Sequence, residues 1–263
     1  MKWCRFQSAE GVRYGLVETV EGCETIVRPL DPPIPVPGEE LAGGSFAPLA
    51  LSEARLRPPV SPSKIVCVGR NYREHAQELG NAPPAEPLLF LKPPSAIVGP
   101  GDAIRRPRLS ERVDHEAELG VVIGKVCHRL PEEEPVRPYI LGYTCVNDVT
   151  ARDLQNKDGQ WTRGKGFDTF CPVGPAVSND PDPWAGVAVE ARVNGQVRQQ
   201  GNTRDFIFSL GHIIRYISRV MTLYPGDLIS TGTPSGVGPL VVGDLVEVTV
   251  EGVGTLVNVV VDE

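Results

Sequence analysis

Nine of the 26 prolines in this 263-residue chain fall between Arg28 and Pro62, in the stretch RPLDPPIPVPGEELAGGSFAPLALSEARLRPPVSPSK. Proline lacks a backbone N–H and fixes φ, so this density forbids a continuous helix or an unbroken strand ladder. The chain therefore divides near residue 60. Ahead of the prolines, KWCRFQSAEGVRYGLVETVEGCETIV alternates and turns at glycines, the pattern of a small strand meander. Residues 1–60 read as a small N-terminal β-rich domain with a proline-rich linker. Residues 61–263, opening on the strand KIVCVG, read as the main domain.

The main domain is rich in short β-branched runs such as LGVVIGK and ILGYTCV. VAVEARVNGQVRQQ signals a hairpin with Asn194-Gly195 at a type I′ turn, and LVEVTVEGVGTLVNVVV a closing hairpin around Gly252 and Gly254. Gly-Asp punctuation introduces three strands, in PGDAI (100–104), PGDLI (225–229) and VGDLV (242–246). Helical spacing is confined to NYREHAQEL (71–79) and DFIFSLGHIIRYISRVM (205–221), the second with Phe206, Leu210, Ile213, Ile217 and Val220 on one stripe. The pattern is mainly β with a few helices, an α+β chain.

Net charge −7 argues against broad contact with nucleic acid or an anionic membrane. No apolar run approaches the length of a membrane span, and MKWCRFQSAEGVRYG lacks the apolar core of a secretory signal. Six cysteines without a CxxC pair read as reduced, mostly buried thiols in a cytoplasmic protein, and zinc is disfavoured on the same grounds.

Chemistry concentrates in a few places. VDHEAELGVV (113–122) sets Glu116 and Glu118 on one face of a strand, where like charges repel unless a cation or solvent lies between them. His115 falls on the apolar side and reads as packing; Asp114 is left unassigned. ILGYTCVNDVTARDLQ ends an apolar run at Asn147-Asp148, with Thr150 and Asp153 in capping-box spacing and Arg152 and Gln155 at helical spacing beyond. Asp148 is either a turn residue or a third carboxylate at a strand end. Three carboxylates without clustered cysteine or histidine suit a hard cation, Mg²⁺, with Mn²⁺ or Ca²⁺ as alternatives. In GRNYREHAQELG, His75 and Glu78 stand i and i+3, either a solvated salt-bridge helix or a base with its orienting carboxylate. Lys165, between two glycines in WTRGKGFDTFCPVGP, is either a solvated loop lysine or a cation for a developing enolate. The hydroxyls and N–H groups of STGTPSGVG (230–238) can cradle a carboxylate, and no lysine follows to make it a phosphate loop.

Taken in order, GRNYREHAQE, PLLFLKPPSAIVGPGD, VDHEAELGVVIG, GYTCVNDVTARDLQ, GKGFDTFCPVGP, VNGQVRQQGNT and TLYPGDLISTGTPSGVG resemble the fumarylacetoacetate hydrolase family over about residues 64–261. The resemblance implies a mixed β-roll or sandwich, usually a homodimer, with a carboxylate-held divalent metal. Carried over by position, it implies Glu116, Glu118 and Asp148 as metal ligands, His75 and Glu78 as the catalytic dyad, and Lys165 facing the substrate oxyanion. It also implies Arg152, Gln155 and Thr233 as polar site residues; Arg70 and Tyr72 of GRNY join them as substrate-binding candidates. Arg70, Arg152 and Arg163 are unranked candidates for a substrate's far carboxylate. The longer carbon–carbon hydrolases carry a further carboxylate ahead of the dyad where this chain has Asn71-Tyr72, which favours the shorter bacterial branch. That branch acts on 2-oxo or 2-hydroxy-dienoate dicarboxylates of aromatic catabolism. The leading expectation is 2-hydroxyhepta-2,4-diene-1,7-dioate isomerase or the linked decarboxylase. Acylpyruvate hydrolase or oxaloacetate decarboxylase is the enzymatic alternative, and a non-catalytic β-domain binding a small acid is the rival from another class.

Overall fold

The computed structural model describes residues 1–34, 41–78, 80 and 82–263, so part of the proline stretch and Leu79 lie outside the described residues. The architecture is mainly β, as the strand patterning implies. A large mixed sheet runs in the order Leu49–Ala50, Cys23–Pro29, Gly11–Val20, Lys2–Ser8, Cys171–Ser178, Ile140–Asn147, Ala117–Ile123, Leu228–Ser230, Ile65–Gly69 and Leu88–Lys92. The N-terminal meander continues this sheet, with Trp3 opposite Val177. Between the prolines, Arg55–Arg57 adds a short antiparallel pairing to Lys2–Ser8. A second sheet runs Gln196–Asn202, Ala188–Val193, Leu245–Val250, Gly254–Asp262 and Ala103–Arg106. Four α-helices are found among the described residues: α1 (Arg73–Glu78), α2 (Arg152–Asp158), α3 (Thr162–Lys165) and α4 (Leu210–Val220).

Alternation decides which faces meet. Val189, Ala191 and Val193, and Val246, Val248 and Val250, point inward from the second sheet, while their neighbours are half-buried or exposed. Ala117, Leu119, Val121 and Ile123 of the large sheet join most of them, with Ile213, Ile214 and Ile217 of α4, in the main core. The other face of the same strand carries Val122 into a second core with Trp3, Ile65, Val146 and Val173. Ala117–Ile123 is therefore buried throughout. A carboxylate on such a strand must find partners or be neutral.

All three Gly-Asp turns are one device. Gly101, Gly226 and Gly243 take positive φ at the third position, and Asp102, Asp227 and Asp244 each accept the backbone N–H three residues earlier. Asp227, fully buried, also accepts from Ser63 and Lys64, which ties the start of the main domain to the strand Leu228–Ser230. Asn194 and Gly195 both have positive φ, as a type I′ turn requires.

Three local expectations are corrected. The helix expected from 205 begins at Leu210, capped by Ser209 accepting from His212 N. Asn71 explains the delay: its carbonyl accepts Ile207 N and its side chain exchanges bonds with Phe208, which holds 206–208 out of the helix. Phe206 is thus outside the helix, and Val220 is exposed. The Thr150–Asp153 capping box does not form. Thr150 Oγ1 donates to Asp148 O, and Asp153 instead accepts from Ser110 Oγ and Glu111 N. VDHEAELGVV is two strands, Val113–His115 and Ala117–Ile123, broken at Glu116.

Gly120 permits the tight pairing beside Glu118. A Cβ there would lie 2.6 Å from Val146 Cγ2 and 2.9 Å from Thr144 Cγ2, both on β-branched side chains without room to swing away. Gly120→Ala is expected to destabilise the fold by about 1–3 kcal/mol. Urea unfolding monitored by circular dichroism checks this; an unchanged midpoint contradicts the packing described.

Candidate active site

The break at Glu116 turns its side chain toward the end of Ile140–Asn147. Asn147 Oδ1 accepts Glu116 N, and Asp148 N donates to Glu116 O, so the two acidic segments are locked together at the backbone. Glu118 leaves the neighbouring strand two residues on. Oxygens of Glu116, Glu118 and Asp148, all buried, lie within 4.8 Å of one another.

Cations meet two of the three. Lys165 Nζ, delivered by the last turn of α3, donates to Glu116 Oε2 at 2.8 Å and to Asp148 Oδ2 at 2.5 Å. Lys92 Nζ, from the end of Leu88–Lys92, donates to Asp148 Oδ1 at 2.5 Å and to Val149 O at 3.0 Å. Arg152 on α2 reaches Glu116 Oε1 at 2.5 Å, Asp114 Oδ2 at 2.9 Å and Gln155 Oε1 at 2.7 Å. Among the described residues, no cationic side chain pairs with Glu118. Its Oε2 accepts from Ser230 Oγ at 2.5 Å and Gly232 N at 2.7 Å.

The electrostatics follow from that division. Burial opposes the charge on Glu116, but Lys165 and then Arg152 outweigh it and hold the carboxyl below the usual range. Burial pushes Glu118 up to about 8, with the charge of Asp148 adding to the rise and the bond from Ser230 opposing it. Burial also opposes the charge on Lys165, yet Asp148 and Glu116 keep its ammonium above its ordinary value. An all-oxygen donor set, with one carboxylate lacking a cation, fits a hard divalent ion.

These groups line a cavity of about 270 Å³. Of the residues expected from sequence, Arg70, His75, Glu116, Glu118, Asp148, Arg152, Gln155, Lys165 and Thr233 all border it. Glu78 and Tyr72 do not. Glu78 stands behind His75, with Oε2 3.2 Å from His75 Nδ1 and Oε1 accepting Gly236 N at 3.0 Å. Tyr72 is buried with its ring edge-on to Phe206 and its hydroxyl without a hydrogen-bond partner among the described residues. Gly236 has φ +97, and a Cβ there would lie 2.0 Å from Arg198 O, so the donor to Glu78 can only be glycine. Arg163 is on the surface, paired with Asp158.

Sequence reading missed three buried polar residues. Lys92 closes an apolar strand run, LLFLK, and is fully buried; in sequence, its place at the end of that run was the available signal. Asp114 accepts from both Arg112 and Arg152, steering the latter. Gln199 accepts from Ala117 N and donates to Thr233 Oγ1 and Pro234 O, while its Oε1 lies 3.0 Å from His115 Nδ1. His115 is packed, as its face implies. A larger open groove, about 1940 Å³, runs between the N-terminal strands and the closing hairpin, away from these groups.

Residues 64–261 match the family described as fumarylacetoacetate (FAA) hydrolase C-terminal, and residues 1–59 match the one described as Rv2993c-like, N-terminal. The chain belongs to the fumarylacetoacetate hydrolase family. It is an enzyme of a family whose similar members carry isomerase, tautomerase and hydrolase names. The structure titled 2-hydroxyhepta-2,4-diene-1,7-dioate isomerase from Mycobacterium marinum is 45% identical with TM-score 0.85, over 100% of this chain and 99% of that one. The oxaloacetate tautomerase of Bacillus subtilis is 44% identical over 84% of this chain and 77% of its own length. A fumarylpyruvate hydrolase from Pseudomonas aeruginosa, in complex with Mn²⁺ and pyruvate, is 34% identical with TM-score 0.72, over 78% of this chain and 91% of that one.

Mg²⁺ in large excess over its dissociation constant is expected to stabilise the protein, by about 2.7 kcal/mol at a hundredfold excess. Glu118→Ala should abolish that gain while leaving a folded, metal-free protein. Thermal melts with MgCl₂ and with chelator read both; an undiminished Mg²⁺ shift in the variant removes Glu118 from the ligand set.

Proposed function

We propose that the protein is a divalent-metal-dependent enzyme acting on 2-oxo or 2-hydroxy-dienoate dicarboxylates. Its leading reaction is isomerisation of 2-hydroxyhepta-2,4-diene-1,7-dioate, or the linked decarboxylation. The observation that carries this reading is the meeting of His75 and Lys165 with the three carboxylates on one small cavity. Similarity to the Mycobacterium marinum isomerase supports it. The reading includes a homodimer, following the family resemblance, in the cytoplasm, following the free cysteines.

Glu116, Glu118 and Asp148 would hold the metal, Mg²⁺ in the first instance. When bound, it supplies Lewis-acid stabilisation to negative charge on substrate oxygens. The remaining steps belong to the chain. Lys165 uses two of its three N–H donors on Glu116 and Asp148, which leaves one for a substrate oxygen as charge develops there. His75 turns Nδ1 to Glu78, so a proton on Nδ1 is donated to the carboxylate and Nε2 is the base toward the cavity. Moved to another carbon, the abstracted proton gives isomerisation; activating a water instead gives hydrolysis. Thr233 borders the cavity, but its hydroxyl donates to Ala117 O and accepts from Gln199 Nε2, so it shapes the wall and has no proton left for a substrate carboxylate.

Hydrolysis is the second reading, favoured by likeness to the fumarylpyruvate hydrolase. A panel of 2-hydroxydienoates, acylpyruvates and oxaloacetate with Mg²⁺, read by product mass and enol absorbance, separates the outcomes. Unchanged mass with altered absorbance indicates isomerisation, loss of CO₂ decarboxylation, and gain of water hydrolysis. No turnover across the panel rejects the proposal. On whichever substrate turns over, His75→Asn is expected to lower kcat by about 10²–10⁴ with little change in KM. Retained kcat would show that the proton is moved by another group.

A further inference from the structure

Most of the cationic side chains around the cavity are already committed. Lys165, Lys92 and Arg152 are engaged by Glu116, Asp148 and Asp114, and Arg112 is a bidentate partner of Asp114. Arg70 differs. It borders the same cavity, and among the described residues its side chain makes no hydrogen bond or ion pair; its Nε is buried without a partner. What it has is a brace: its guanidinium carbon lies 6.0 Å from the ring centroid of Trp161. Trp161 in turn packs edge-on against Phe90 and lies so close to Gly69 that a Cβ there would be 2.8 Å from the ring. Gly69 thus lets the indole wall close against the backbone just before Arg70.

Arg70 also has φ +59, a left-handed conformation uncommon for a residue with a Cβ. Such strain is held where surrounding structure imposes it, and it clusters at ligand sites. Here the imposing contacts are those of Asn71, whose side chain is fixed to Thr231 O and to Phe208. The turn therefore presents a guanidinium to the cavity at the cost of backbone strain and leaves its donors unspent. An arginine fork matches a carboxylate in a bidentate manner.

From these observations we infer that Arg70 is the specificity-determining residue of the site, pairing with a second, distal carboxylate of the substrate. This ranks it above Arg152, whose fork is filled, and Arg163, which pairs with Asp158 on the surface. The assignment deepens the proposed function and rests on its reading of which cavity binds substrate. It makes the enzyme selective for dicarboxylates over 2-oxo acids that end in a methyl group.

The test reads binding without turnover. Wild type, Arg70→Met, Arg70→Gln and Arg70→Lys, each with saturating Mg²⁺, are titrated calorimetrically with paired ligands of five to seven carbons: 2-oxo dicarboxylates and the 2-oxo monocarboxylates of the same length. Wild type should prefer the dicarboxylate at the best-fitting length by about tenfold or more. Arg70→Met and Arg70→Gln should lose that preference, with affinity for the monocarboxylate held within about twofold, and Arg70→Lys should keep part of it, since lysine retains the charge without the fork. All the variants keep a Cβ at the strained position, so they change the fork or its charge and leave the backbone demand as it is. If Arg70→Met fails to fold, the glutamine and lysine variants decide the matter. No dicarboxylate preference in wild type at any length, or a preference that survives in Arg70→Gln, overturns the assignment. A protein that converts none of the panel acids yet shows an Arg70-dependent preference refutes the proposed reaction and upholds Arg70.

Discussion

The Lys165 ammonium between Glu116 and Asp148 is the contact on which the site depends. Three carboxylates brought within 4.8 Å of one another in a buried place repel strongly unless positive charge is interleaved. Lys165 joins two of them, Lys92 braces Asp148 from the other side, and Arg152 completes Glu116. Removing one partner from such an arrangement leaves a buried charge unopposed, at a cost of about 3–5 kcal/mol. Glu118 is spared that network: burial and the charge of Asp148 push it up to about 8, against the bond from Ser230. The site is thus compensated at two carboxylates and open for a cation at the third.

Delivery of these groups is shared among distant parts of the chain. The large sheet supplies Glu118 and Lys92, the break at Glu116 and the end of the next strand supply the other acids, and α3 supplies Lys165. Side chains that never reach the cavity hold these pieces in register. Asn71 joins the turn before α1 to residues 207–208 and to Thr231, and Gln199 joins the second sheet to Ala117 and Thr233. Both are buried amides with several partners, a form of connection that is expensive to leave half made.

The large features were legible because they depend on local periodicity and turn chemistry. Asn194-Gly195, the three Gly-Asp turns and the β-branched runs each carry their conformation in their own residue types. The carboxylate trio and Lys165 were legible through motif order, and they lie together in space. What was not legible was decided at long range. The start of α4 is set by Asn71, more than a hundred residues earlier, which diverts 206–208 from the helix their apolar spacing suggests. The Thr150–Asp153 capping box loses to competitors: Ser110 and Glu111 claim the Asp153 carboxylate from outside the helix. Lys92 was hidden because a lysine ending an apolar strand looks solvated until its partner, 56 residues on, is known.

Glu78, which orients the histidine, is held on its far oxygen by Gly236 N, and Ser235 of the same loop bonds Glu74 on the neighbouring turn of α1. That loop is continuous with Thr233 at the cavity wall and with Gly232, whose N–H fixes Glu118. Glu78, Glu118 and the cavity wall at Thr233 are therefore positioned by one short run of backbone. On the proposed function, a change in that run would move the substrate wall, Glu118 and Glu78 together, whereas Arg70 borders the cavity from a separate turn and could be exchanged without disturbing them.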